Sequence, residues 1–113
     1  MPRPDEAPGA IVAHGGKSRD DLPADGYFDV RNARIGIDYR GSARSETRRT
    51  IVPAGFSYRI ARDNRVFILT IEAFCELRHD HRTFKYDRIR EAFDPETGEI
   101  IPNLGEFLWA RRE

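Results

Sequence analysis

At 113 residues, with 39% hydrophobic and 34% charged side chains, the chain has the makings of one small domain with a modest core. Its single cysteine, Cys75, excludes an intramolecular disulfide. No stretch approaches the roughly 20 apolar residues that span a bilayer, and "MPRPDEAPGAIVAHGG" has no apolar run of the signal-peptide kind. A soluble, cytoplasmic protein is expected. The formal net charge is zero, yet residues 40–90 carry twelve basic and six acidic side chains while residues 91–113 carry two and six. The middle is therefore electropositive, almost wholly through arginine, whose planar fork suits phosphate and carboxylate.

Residues 1–26 are rich in Pro, Gly, Asp and Ala without periodicity and are expected to form a flexible arm. "ARIGIDYRGS" places Ile35, Ile37 and Tyr39 on one face by period two and predicts a strand ending in a turn at Gly41-Ser42. "ETRRTIVPAG" predicts a second strand, closed by Pro53 and Gly55, and a short third follows from Phe56 to Ile60 before a turn at Asp63-Asn64. "VFILTIEAFCEL" is the strongest strand. Its alternation puts Phe67, Leu69, Ile71, Ala73, Cys75 and Leu77 on a core face, with Ile68, Thr70, Glu72, Phe74 and Glu76 on a wetter one. "RHDH" reads as a turn, "RTFKYDRI" as a fifth strand, and "FDPETGE" as a loop with strong turn chemistry. Asn103 is placed to cap a short final helix with Leu104, Phe107 and Leu108 at helical spacing. Five short strands at this spacing predict a mainly β protein at 27–113, a small, strongly bent antiparallel sheet or five-stranded barrel.

Few residues suggest catalysis. His79 and His81 flank Asp80, but zinc needs three or four ligands and the remaining histidine, His14, lies in the arm, so a polar turn is expected. Cys75 alternates with apolar residues and is expected to be buried and inert. The carboxylates at Glu72/Glu76 and Asp94/Glu96/Glu99 lack a partner for acid–base work, and the nine glycines form no phosphate loop. A non-enzymatic role without cofactor or metal follows. The cations and rings are more suggestive. Arg49, Arg78 and Lys85 on a polar side, with Phe74 or Tyr58 for stacking, compose a surface of the kind that single-stranded nucleic acids bind.

The segments "R-x-I-x-P" at Arg49 to Pro53, "AFCELR", and "R-x-F-x-x-D-R-I" at Arg82 to Ile89 together resemble the WYL domain. That family runs from an R-x-V-x-P strand through a W-Y-L strand to A-x-C, a basic turn and R-x-F-R-x-D-R-I. The similarity covers about residues 34–101, and the trailing "TGE" is similar to members with an extended C-terminal end. The resemblance implies an SH3-like, Sm-type barrel. It also implies a role like that of domains found in bacterial regulators behind a winged helix-turn-helix, or in defence proteins and helicases, where they sense nucleic-acid fragments or nucleotides. Carried over by position, the ligand-contacting cations would be Arg49, Arg78, Arg82, Lys85 and Arg88. Leu69-Thr70-Ile71 stand where Trp-Tyr-Leu is usual, and the arm is too short for a helix-turn-helix. A stand-alone module, or part of something larger, is expected. The expected partner is thus a single-stranded nucleic acid or nucleotide. The alternative is a protein–protein or oligomerisation module that uses exposed barrel edges.

Overall fold

The computed structural model describes residues 24–41 and 46–113. Most of the expected arm, and Ser42 of the predicted turn, lie outside these residues. Within them the chain forms β1 (Gly26–Asp29), β2 (Ile35–Arg40), β3 (Glu46–Ile60), β4 (Val66–Cys75), β5 (Asp80–Lys85), β6 (Ile89–Phe93), β7 (Ile100–Ile101) and the helix α1 (Leu104–Ala110). A single 3-10 turn, Tyr86–Arg88, joins β5 to β6. All strand pairs are antiparallel, in the order β5-β4-β3-β2-β6-β7, with β1 also paired to β3.

The mainly β character and the C-terminal helix agree with the sequence. The five-stranded barrel does not: among the described residues the sheet has seven strands and no pairing joins its β5 and β7 ends. The two strands expected between Glu46 and Ile60 are one long strand, β3. Pro53 does not end it, because the register against β4 shifts between Pro53 and Gly55, and proline is tolerated at such a bulge. The first half of β3 pairs with β2 and the second with β1, while β4 runs along its other edge. The fifth strand also begins earlier than expected, at Asp80, and stops at Lys85.

A second register shift, opposite Ser57 and Tyr58, changes which side chains of β4 enter the core. Val66, Ile68, Leu69, Ile71, Ala73 and Cys75 are buried. Phe67, expected inside, lies half-exposed with the Arg59 guanidinium 5.9 Å from its ring centroid. Leu77 lies beyond the strand and is 60% exposed. Across the sheet the core is completed by Ile35, Ile37, Ile51, Phe56 and Phe84, and by Leu104, Leu108 and Trp109 from α1. Asn103 caps α1, its side chain accepting from the Glu106 N–H at 3.0 Å. Among the described residues no helix is long and apolar enough to cross a membrane.

Tyr86 ties the 3-10 turn to the helix by accepting from the Gly105 N–H at 3.0 Å. Burial pushes its hydroxyl up to about 12 from the ordinary 10.0. A tyrosine raised in this way stabilises the fold fully below its unfolded value near 10, and that contribution is lost as pH rises through about 12. Tyr86→Phe leaves the helix N–H unpaired, so the variant loses about 1–3 kcal/mol at neutral pH. It also lacks this part of the alkaline decline. Urea unfolding on either side of that window checks both effects; a variant that declines with alkali as steeply as the parent contradicts them.

Candidate anion-binding site

The curl of the sheet brings the end of β5 against the end of β2. Tyr39, on β2, accepts a hydrogen bond from the Lys85 N–H at 3.1 Å, and its ring meets Phe84 edge-on at 5.0 Å. The β2–β6 register sets Tyr39 opposite Ile89, the residue after Arg88. On β3, Arg49 has the same alternation as the fully buried Ile51 and so faces the inner side of the curl. Its guanidinium lies 5.9 Å from the Tyr39 ring centroid and 5.8 Å from that of Phe84, while its Nε–H donates to Thr47 Oγ1 at 3.0 Å. Arg82, two residues before Phe84, alternates to the same face and is exposed.

The mouth around Tyr39 thus has Arg49 beside the ring and the backbone end of β5 at Lys85, with Arg82 two residues before Phe84 on the inner face and Arg88 one residue before Ile89. Lys85 alternates to the opposite face from Arg82, opposite Thr70, and so does not share a side with Arg49 as the sequence led one to expect. The remaining predicted residues lie elsewhere. Arg78 is exposed on the turn at residues 76–79, beyond the ends of β4 and β5. Phe74 is on the outer face, where it meets His81 edge-on at 5.5 Å. Tyr58 belongs to an aromatic cluster, stacked on Phe28 at 5.2 Å and edge-on to Trp109 at 5.9 Å. Tyr39 and Phe84, which flank the Arg49 guanidinium, carry no site signal in the sequence. Their period-two spacing marks them only as inward-facing.

Acids engage five of the described arginines. Among the described residues Arg34 forks onto Glu76 at 2.8 and 3.1 Å, and Arg48 onto Asp38 at 2.9 and 3.3 Å. Arg31 pairs with Glu113, Arg65 with Asp63 and Arg90 with Glu46. Hydrogen bonding from Arg34 holds the Glu76 carboxyl below the usual carboxylate range, so this pair supports the fold at neutral pH and fades as acid protonates Glu76. On the outer face Arg48 also lies 4.6 Å over the Phe93 ring, which covers Gly36 so closely that a Cβ there would sit 2.1 Å from it. Arg49, Arg78, Arg82 and Arg88 form no ion pair with any described residue, and neither do Arg40, Arg59, Arg62, Arg111 and Arg112. Cys75 is buried, and no described group of three or more His, Cys, Asp or Glu side chains is placed to hold a metal ion.

The family model of the WYL domain matches residues 30–93, which span β2 to β6 and every side chain of the mouth. The chain belongs to the WYL domain family. WYL domains are generally ligand-sensing regulatory modules, typically without enzymatic activity, and nucleic acids are among the ligands they bind. Neither the curated proteins nor the solved structures yield a match to the chain.

Proposed function

We propose that this WYL domain senses a single-stranded nucleic acid or a nucleotide, whose phosphates are held at the mouth by Arg49, Arg82, Lys85 and Arg88. Arg78 extends the field along the adjoining turn, and Phe74 with His81 offers a ring surface on the neighbouring outer face. One observation carries this reading. The Arg49 guanidinium is held against the Tyr39 and Phe84 rings and, like Arg78, Arg82 and Arg88, forms no ion pair with a described residue, a lack shared by Arg40, Arg59, Arg62, Arg111 and Arg112. A guanidinium held near rings and left without a counter-charge is disposed to take an external anion.

Binding of this kind releases counterions. If about four cations meet four phosphates on a single strand, the affinity for a labelled oligothymidylate falls about 50-fold between roughly 50 and 200 mM salt. Fluorescence anisotropy across that range measures the slope. An affinity indifferent to salt, or none for short oligonucleotides and nucleotides alike, overturns the reading.

Assembly through sheet edges is less well supported at β5. Its outward-facing N–H groups fall on alternate residues, and the Tyr39 hydroxyl takes that of Lys85 while the Asp80 carboxylate takes that of His81 at 2.8 Å. Capping of this sort blunts an edge against another strand.

A further inference from the structure

The acidic end of the chain builds a second surface. β7 ends the sheet: it pairs with β6, and no described strand lies on its other side. Its Ile100 is 49% exposed. A cleft borders each side of the ridge formed by Ile100, Ile101 and Pro102. One, of about 360 Å³, has Ile89, Ala92 and Leu104 in its walls and Glu91 on its rim. The other, of about 260 Å³, is walled by Phe107 and rimmed by Glu99. The arginines beside these clefts are already neutralised, Arg90 by Glu46 and Arg34 by Glu76. Glu91 and Glu99 form no ion pair with a described residue, so the field over the ridge is negative.

We propose that the β7 edge docks an extended, basic segment of a partner protein. One aliphatic side chain of that segment enters the larger cleft, and lysine or arginine neighbours meet Glu91 and Glu99. An added strand offers main-chain hydrogen bonds to an edge, and its side chains alternate between two sides, which matches a ridge with a cleft on each flank. Charge complementarity selects the sign of the partner. A second copy of this chain suits the edge poorly, since β7 against β7 would set Glu91 and Glu99 against the same acids. The proposal does not depend on ligand binding at the arginine-lined mouth.

The test uses the full chain and a short acetylated peptide that alternates lysine with isoleucine, followed by NMR. Amide shifts centred on Ile100, Ile101 and Glu91 are expected. A glutamate–isoleucine peptide should bind at least about tenfold more weakly. Ile100→Lys removes the exposed anchor, and Glu91→Lys with Glu99→Lys reverses the rim; all three positions are exposed, so the fold is retained, and each variant weakens the lysine peptide at least about tenfold. Shifts centred elsewhere, equal binding of the two peptides, or titrations unchanged in both variants overturn the proposal. So does concentration-dependent dimerisation that Ile100→Lys abolishes, since the occupant would then be another copy.

Discussion

Phe56→Ala is expected to cost about 3–5 kcal/mol, the usual range for emptying a fully buried aromatic site. Phe56 is 0% exposed and stands where β1, β3, β4 and α1 meet, with Phe28 at 6.1 Å, Trp109 at 6.1 Å and Tyr58 at 6.4 Å between ring centroids. These neighbours are themselves large and fixed by backbone pairing, so they cannot collapse into the space. A domain of this size has only about 5–15 kcal/mol of stability to lose. The melting temperature should therefore drop by roughly 12–20 °C, read by circular dichroism. A drop of a few degrees would mean that the aromatic cluster is not the centre of the fold.

Arg49→Glu combined with Arg82→Glu should all but abolish binding of a single-stranded oligonucleotide. Each charge-assisted contact is worth about 1.5–3 kcal/mol, so losing two weakens the affinity more than about 100-fold at low salt. The dependence of log affinity on log salt should also flatten by about 1.4, the share of two phosphates on a single strand. Arg48→Ala is the matched control. Its guanidinium is already engaged by Asp38 on the outer face, and its removal should change little. Because Arg49 lies against Tyr39 and Phe84, thermal melts of each variant separate loss of ligand from loss of fold. A folded double variant that binds as the parent does removes the mouth from the function.

Much of the strand pattern can be read directly. The inward set of Ile35, Ile37 and Tyr39 follows the period of two, and Asn103 announces the helix. Reading fails where local rules meet a bulge or a long-range contact. Ile68 and Leu69 are adjacent yet both buried, since the register shift falls at Leu69, between the pairs Tyr58–Ile68 and Ser57–Thr70. β6 carries Ala92 and Phe93 side by side in buried positions, a pattern that alternation does not flag. Phe93 is covered only because Gly36 lets its ring approach and Arg48 lies over it. Arg49, Arg78 and Lys85 follow from the strand pattern of the arginine-rich middle, whereas Arg82 and Arg88 enter only through the family resemblance. Their common setting depends on Tyr39 meeting Lys85, 46 residues away, and no window of sequence contains that meeting.

β3 has a consequence for how the molecule can be cut and grafted. Its two halves serve different partners on one side while a single neighbour runs down the other. The turn at Asp63-Asn64 joins it to β4, so scission there would leave β6 and β7 with one piece and β2, to which β6 is laced, with the other. Neither fragment holds a finished layer to close over its own greasy side. The whole is thus an indivisible unit of inheritance: transplanted into another protein it must travel entire, and new material is best added in its surface turns.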